Sequence, residues 1–201
     1  MKLLGITYKG PEIDDLGTFN SLPVELKNFL KQANGIIAFK GALHIRGCCL
    51  KPEWHSINEV WTGKSAFWKN YPDILDIDIP FAQDCLGDQF LMRGNKIVKL
   101  QTETGEVDEL GIDLFGFFQE IEKDPVVFLG MHPLIQFEME DGKLEPGKLL
   151  SAYPPFCINT TGDVALTDKP VLERLNELAD LSKKYRRMQE GEGGDVQFIV
   201  G

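Results

Sequence analysis

The chain of 201 residues suits one large domain, and its hydrophobic fraction of 43% and charged fraction of 26% are ordinary for a globular protein. A net charge of −10 disfavours sequence-independent binding to nucleic acid, which needs a cationic surface. The apolar runs are far shorter than the roughly 20 residues of a membrane helix, and the first residues do not form a secretory signal, so we expect a cytoplasmic protein.

The negative charge is concentrated in the middle of the chain. Residues 1–70 hold nine Lys/Arg and six Asp/Glu, for a net +3, whereas residues 71–182 hold eight and twenty-two, for a net −14. Such an acidic block can be a solvated surface that keeps the protein soluble. It can also be a docking face for a basic partner, and both interpretations stay open.

A helix is the first clear element, after a lead-in of about twenty residues that predicts a short strand or a loop. Ser21 is a candidate N-cap, and Pro23 falls in the first turn, where proline is tolerated. Asn34-Gly35 favours a left-handed C-cap. The apolar positions of this helix share one face: Leu22, Leu26, Phe29, Leu30 and Ala33.

Two short strands and a weaker helix follow. Residues 36–40 and 42–46 are β-leaning runs on either side of Gly41. Ser56 is a candidate start for the helix, although Gly63 weakens it. The tryptophans recur at intervals of seven, and Trp61 and Trp68 can share a helical face in the core: Trp54, Trp61, Trp68. Because Trp54 follows Pro52 on a predicted loop, we expect it to be an exposed interface aromatic.

The centre of the chain predicts a β-meander followed by a helix. Apolar runs at 90–92 and 97–100 flank Gly94-Asn95, a two-residue hairpin signal. Thr104-Gly105 predicts a second turn into a third strand at 106–110. Asp113 is the candidate N-cap of the helix, whose four large apolar side chains lie at i, i+3, i+4 and i+7: Leu114, Phe117, Phe118 and Ile121. This stripe predicts a unit that forms the core.

The remaining chain predicts a C-terminal extension after the helix break at Asp124-Pro125. The alternation at 134–139 is typical of a strand, and 156–158 and 164–166 are further strand candidates. Thr167 or Asp168 can cap a long last helix, which carries cations near its C-terminal end.

Carboxylates near the meander offer one candidate catalytic site. Asp84 and Asp88, with Glu103 and Glu106 nearby in sequence, could serve as a general acid–base pair. Acids are also common at turns and strand ends, and a catalytic pair needs a cleft that perturbs the two groups differently. The sequence alone does not distinguish these interpretations.

The cysteines are predicted to be reduced and structural. Cys157 and His132 make a weak nucleophile–base pair, because an apolar setting keeps a thiol inert. A zinc site is conceivable but lacks the paired Cys-x-x-Cys spacing of structural sites. Its four ligands would be His44, Cys48, Cys49 and His55.

Several motifs together resemble the SUKH superfamily (Smi/Knr-like proteins). Leu22-Pro23-x-x-Leu26-x-x-Phe29-Leu30-x-x-x-Asn34-Gly35 is similar to that family's opening helix. The later landmarks follow in the family's order: Trp54, then Ile79-Pro80-Phe81-Ala82-Gln83-Asp84 with Gly87-Asp88, then Val98, then Thr104-Gly105-Glu106 before an aromatic-rich helix. The resemblance spans residues 20 to 122, and the order and spacing of the motifs carry it.

The resemblance implies an α+β fold with a central, mainly antiparallel sheet and flanking helices, here with a C-terminal β/α extension. We place the SUKH-like domain at 1–130, the extension packed on it at 131–189, and a flexible tail at 190–201, in which 196–200 could form a strand. Bacterial members are mostly immunity proteins that neutralise toxins, often nucleases. Fungal members are cell-wall regulators and signalling scaffolds. The family brings no catalytic residue, metal or cofactor.

We therefore expect a non-enzymatic immunity protein, a monomer or weak dimer, that binds a basic toxin domain and neither nucleic acid nor membrane. A regulatory scaffold of the same fold is the first alternative, and a hydrolytic enzyme that uses the acids is the second. The predicted partner-binding residues are one tryptophan and six acids of the central unit: Trp54, Asp84, Asp88, Glu103, Glu106, Asp108 and Glu109.

Overall fold

A computed structural model describes residues 3–140, 142–158 and 164–190. It shows the predicted α+β fold, a seven-stranded antiparallel sheet with flanking helices, together with a separate two-stranded sheet. The strands of the large sheet lie in chain order: β1 (Tyr8–Lys9), β2 (Ile36–Ala38), β3 (Leu43–Ile45), β4 (Ile79–Asp84), β5 (Gln89–Arg93), β6 (Lys96–Gln101) and β7 (Glu106–Glu109). The second sheet pairs β8 (Lys148–Tyr153) with β9 (Ala165–Pro170).

The helices of the described ranges surround these sheets. In chain order they are α1 (Leu16–Ser21), α2 (Val24–Gln32), α3 (Ile57–Trp61), α4 (Leu114–Lys123), α5 (Pro125–Phe128), α6 (His132–Glu140) and α7 (Val171–Gln189). None of the helices in the described part of the chain is both long and apolar enough to cross a membrane.

The β5–β6 hairpin and the helix after it confirm the central prediction. Gly94 in the turn has φ +62, a left-handed conformation that glycine adopts without a steric penalty. Strand β7 follows, as predicted, and pairs with β6. Asp113 caps α4, because its Oδ1 atom accepts a hydrogen bond from the backbone N–H of Gly116 at 2.8 Å.

The sheet separates two apolar cores, because successive side chains of a strand point to opposite faces. Phe90 of β5 belongs to the core that includes α2 and α4, and its ring centroid lies 4.9 Å from that of the buried Phe117. Leu91, the next residue, belongs to the other core, with Leu178 of α7. The C-terminal helix thus covers the sheet face opposite to α4.

Two predicted helices have different ends from those expected. Ser21 does not cap α2 but ends α1, a helix that the sequence analysis missed and that Asp15 caps. Leu22, with ψ 152, is extended and ends α1, because the ring of Pro23 disfavours helical geometry in the residue before it. The helix predicted from Ser56 ends at Trp61, and residues 67–69 form a separate 3-10 turn.

Three predictions for the extension are wrong. Residues 134–139 lie in α6, because the buried Leu134 and Phe137 also suit helical spacing. Residues 156–158 form a turn rather than a strand, directly after two prolines that cannot donate ladder hydrogen bonds. Thr167 and Asp168 lie inside β9, and α7 begins after Pro170.

The extension is tied to the main sheet through its backbone as well as its side chains. The N–H of Leu150 in β8 donates to the carbonyl oxygen of Cys85 at 2.8 Å. Strands β4 and β8 were both absent from the sequence prediction. The terminal strand predicted at 196–200 lies outside the described residues.

Candidate functional site

Asp84 is buried at the end of β4 and builds the turn into β5. Its Oδ1 atom accepts hydrogen bonds from the backbone N–H groups of Leu86, Gly87 and Asp88, each at 3.0 Å. A short carboxylate can reach the N–H groups just ahead of it in the chain, and so replaces part of the backbone bonding of a turn. The local sequence Asp-x-x-Gly-Asp therefore folds around its first side chain.

Lys99 of β6 connects the two aspartates. Its Nζ atom lies 3.4 Å from Oδ2 of Asp84 and 3.2 Å from Oδ2 of Asp88. Oδ1 of Asp88 accepts hydrogen bonds from the N–H and the hydroxyl of Thr102, at 2.9 and 3.1 Å. Burial, and then the charge of Asp88, raise the pKa of Asp84 to about 7. All four carboxylate oxygens have protein partners, which is the arrangement of a structural cluster.

Glu103 connects the meander to the C-terminal part of the chain. Its Oε2 atom accepts a hydrogen bond from the N–H of Cys157 at 2.8 Å, and its Oε1 atom lies 3.6 Å from the buried guanidinium of Arg174. Arg174 also donates to the carbonyl oxygen of Leu150 at 3.3 Å. Glu103, like the two aspartates, therefore holds elements together inside the protein.

The three acids of the edge strand β7 are exposed but do not share one face. The register pairs Glu106 with Gln101 and Asp108 with Lys99, whereas Glu109 pairs with Val98. Since alternate residues of a strand point to opposite sides, Glu109 lies on the other face of the sheet from Asp108. The six acids predicted as one partner face are thus divided into an internal group and two external groups.

Trp54 lies half-buried in a 3-10 turn rather than free on a loop. Its ring centroid is 5.0 Å from that of Tyr8, 5.4 Å from that of His44 and 5.5 Å from that of His55. A side chain at Gly147 would come within 3.1 Å of the indole, so the backbone of the extension also lies against it. Trp54 is part of the protein's own packing.

A buried polar array lies beneath Trp54. Its members come from β3, β4, β5 and the loops beside them: Asn34, His44, Arg46, His55, Gln83 and Gln89. The guanidinium of Arg46 donates to the carbonyl oxygen of Pro80 at 3.1 Å, to Oε1 of Gln89 at 2.8 Å and to Oε1 of Gln83. Burial lowers the pKa of Arg46 to about 9. Neutral oxygens, not carboxylates, therefore solvate this buried cation.

The cysteines of the described ranges lie where burial disfavours the thiolate form. Burial, the largest cause, raises the thiol pKa of Cys48, Cys49 and Cys157 to about 12, so these thiols are protonated at neutral pH. His44 and His55, which the zinc alternative required, hydrogen-bond to each other at 2.9 Å. Among the described residues, no group of three or more His, Cys, Asp or Glu is placed to hold a metal ion.

Apolar side chains are exposed instead on the loop before β4. Ile77 is 65% exposed, Leu75 is 47% exposed, and Trp68 is 41% exposed on a neighbouring turn. The indole N–H of Trp61 donates to the carbonyl oxygen of Asp76 at 2.9 Å, and that of Trp68 donates to the carbonyl oxygen of Trp61 at 3.1 Å. We call the six residues of this surface the loop patch: Trp61, Trp68, Asp73, Leu75, Asp76 and Ile77.

The loop patch lies beside the face of the sheet that carries Glu109. Arg93 donates to the carbonyl oxygen of Asp73 at 2.9 Å and to Oδ1 of Asp78 at 3.0 Å. The hydrogen bond that Arg93 donates to Asp78 is the largest cause that raises the pKa of Arg93, and the charges of Asp78 and Glu109 add to it. Nη2 of Arg186 in α7 lies 3.0 Å from Oδ2 of Asp73 and also donates to the carbonyl oxygen of Gly105, just before β7. Two arginines thus fix the loop to the sheet edge.

The sequence contained a signal for the loop patch. Between Pro72 and Pro80 the chain reads Asp-Ile-Leu-Asp-Ile-Asp-Ile, and acids alternate with apolar residues without helical periodicity. Ile74 is buried, whereas Ile77 is not.

The comparisons with known proteins establish the fold alone. No family model matches the chain. No curated protein matches it either. The chain is similar to a solved structure described as the crystal structure of Atu4351 from Agrobacterium tumefaciens, with a TM-score of 0.53 over 86% of this chain and 81% of that one. The sequence identity is 14%, so the similarity concerns architecture.

Proposed function

We propose that the chain is a non-enzymatic binding protein that captures a basic protein domain through the loop patch. The observation that carries this proposal is the position of the exposed Ile77 directly beside Asp76, whose carboxylate has no hydrogen-bond or ion-pair partner among the described residues. Exposed apolar groups next to a free carboxylate suit a partner whose own apolar contacts are surrounded by Lys and Arg.

The apolar and the acidic groups would contribute to different steps of binding. Opposite charges steer the encounter and can raise association rates by about 10–1000-fold at low salt. Lasting affinity needs desolvated anchors, and Trp68 and Ile77 can supply them. Glu109 extends the acidic surface along the same face of the sheet.

With the resemblance to the SUKH superfamily, the proposal becomes more specific. The chain would be a bacterial immunity protein that neutralises a toxin, and a nuclease would be a natural partner because nucleases carry cationic surfaces for their substrate. The internal acids Asp84, Asp88 and Glu103 would serve the fold, and the external groups would serve the partner.

The test is co-expression with the protein encoded by the neighbouring reading frame, followed by growth and co-purification. The wild-type chain should restore growth and co-purify, and a double variant, Asp76→Lys with Ile77→Asp, should do neither. The matched control is Glu173→Lys with Met139→Asp, which makes the same changes in charge at exposed positions on α7 and α6. Full protection by the loop-patch variant would exclude this surface as the partner-binding site. A wild-type chain that gives no protection would exclude the immunity function.

A further inference from the structure

Helix α2 presents a polar and aromatic stripe that faces away from its buried leucines. Glu25, Asn28, Phe29 and Gln32 are spaced i, i+3, i+4 and i+7, so they lie on one side of the helix. Glu25, Asn28 and Gln32 are exposed, and Phe29 is half-buried. The stripe forms one wall of an open groove.

Helix α4 forms the opposite wall. The ring of Phe118 stacks on that of Phe29, with centroids 5.2 Å apart and an angle of 21° between the planes. Phe115, one helical turn earlier, is 71% exposed. Met92 and the hairpin turn at Gly94-Asn95 close one end, and the groove encloses about 560 Å³. We call it the α2–α4 groove.

The charge of this groove is negative. Its lining includes the carboxylates of Glu25 and Asp113 and no Lys, Arg or His of the described residues. Asp113 uses Oδ1 to cap α4, whereas Glu25 has no hydrogen-bond or ion-pair partner in the described part of the chain. A cationic group of a ligand is therefore the natural partner for these carboxylates.

The remaining polar groups of the rim are amides: Asn28, Gln32 and Asn95. A side-chain amide both donates and accepts hydrogen bonds, as a peptide backbone does. An extended peptide has free N–H and C=O groups that such amides can satisfy, whereas a helix satisfies its own internally. An aromatic floor with amides along the rim therefore fits an extended chain better than a helix.

We propose that the α2–α4 groove binds an extended peptide segment of a partner protein, with apolar side chains on Phe29, Phe115 and Phe118 and a Lys or Arg on Glu25 and Asp113. A second copy of this chain is a poorer occupant, because its own groove would bring two further carboxylates to the same place. The site is independent of the loop patch. Met92 lines the groove, whereas Arg93 holds the loop patch through Asp73, and these consecutive residues of β5 point to opposite faces of the sheet.

The experiment is selection of a phage-displayed library of random 12-residue peptides on the full-length wild-type chain, followed by affinity measurement with synthetic copies of the enriched peptides. We expect enriched sequences that combine aromatic or aliphatic residues with Lys or Arg. Phe115→Ser and Glu25→Lys should each weaken their binding about tenfold or more. Both positions are exposed, so both variants should fold as the wild type does.

Controls distinguish this site from the loop patch and from non-specific adhesion. Met139→Ser removes an exposed apolar side chain elsewhere on the surface, and Glu173→Lys reverses an exposed carboxylate there, so both should leave peptide binding unchanged. Asp76→Lys should do so too, so the groove and the proposed function can fail separately. The proposal is overturned if no peptide is enriched, if the enriched peptides lack cationic residues, or if their binding survives Phe115→Ser and Glu25→Lys.

Discussion

The Nε2 atom of His44 lies 2.9 Å from Nδ1 of His55, and the two imidazole rings stack at an angle of 13°. Nε2 of His55 lies 3.0 Å from the carbonyl oxygen of Asn34, which can only accept, so this nitrogen carries a proton. In the neutral ring Nδ1 then accepts from His44, whose own Nδ1 accepts from the amide of Gln83 at 3.1 Å. The hydrogen bonds therefore run in one direction, from Gln83 through His44 and His55 to Asn34, and both histidines are neutral.

The first prediction is that acid destabilises the protein through this pair. Burial lowers the pKa of His44 well below 6.5 and that of His55 to about 4. Between the folded pKa of each histidine and 6.5, the unfolded chain takes up protons that the folded chain does not. The contribution of the histidines is therefore complete above pH 6.5 and decreases as the pH falls toward 4, by about 3 kcal/mol for His55.

Urea unfolding of the wild type and of His55→Gln between pH 4.5 and 7.5 measures this contribution. The difference in unfolding free energy between the two should shrink as the pH falls, and other titrating groups cancel because both proteins share them. His132→Gln, at an exposed histidine, is the control and should follow the wild type. A difference that is independent of pH would contradict the neutral pair.

The second prediction separates the two roles of Asp84. Asparagine keeps an oxygen that can accept the three backbone hydrogen bonds, so Asp84→Asn should stay within about 1 kcal/mol of the wild type at pH 6, whereas Asp84→Ala should lose about 2–4 kcal/mol. Equal losses in both variants would contradict the role of Oδ1.

The pH dependence of Asp84→Asn provides a further check. Because the folded pKa of Asp84 is about 7 and the unfolded value is near 3.8, the stability contribution of its protonated form is lost as the pH rises toward 7. The unfolding free energy of Asp84→Asn should therefore increase relative to that of the wild type between pH 5 and 8. Urea unfolding of both proteins at pH 5 and at pH 8 measures this increase.

The third prediction concerns the two tryptophans at positions 54 and 68. Trp54→Ala removes an indole that packs on Tyr8, His44 and His55, and should lower the unfolding free energy by about 2–4 kcal/mol. Trp68→Ala should change stability by less than about 1 kcal/mol but weaken partner binding. Thermal unfolding and partner binding of both variants test this. If Trp54→Ala weakened binding more than Trp68→Ala and cost less stability, Trp54 would be the binding anchor instead.

The fourth prediction uses the two faces of β7. Glu109 lies on the side of the loop patch, so Glu109→Lys should slow association with the basic partner and flatten its salt dependence. Asp108→Lys makes the same change in charge on the other face and should slow association less. Stopped-flow or surface-plasmon measurements at several salt concentrations compare them. Equal effects would show that net charge alone, and no particular face, governs the encounter.

Local patterns in the sequence were enough to predict the elements whose partners lie nearby in the chain. The β5–β6 hairpin follows from Gly94 and its flanking apolar runs, and the start of α4 follows from Asp113, because turns and caps depend on a few neighbouring residues. The alternation at 134–139 failed because it suits a strand and a helix alike when the segment is short.

Strands whose partners are distant in the chain were harder to predict. Strand β4 is buried along its whole length, so it has no alternating pattern, and Pro80 lies within it at an irregularity in the β4–β5 register. Strand β8 obtains its partner from β9, more than ten residues later. Tertiary contacts decide such elements.

The sequence by itself determined the α+β composition, the central meander and the acidic character of the chain, since these depend on local periodicity and on charge. Only the tertiary structure decided which acids face inward. Asp84, Asp88 and Glu103 find Lys99, Thr102 and Arg174 by long-range pairing, whereas Glu109 stays at the surface. The physical reason is that a carboxylate is stable inside a protein only where donors or cations surround it, and those donors come from distant parts of the chain.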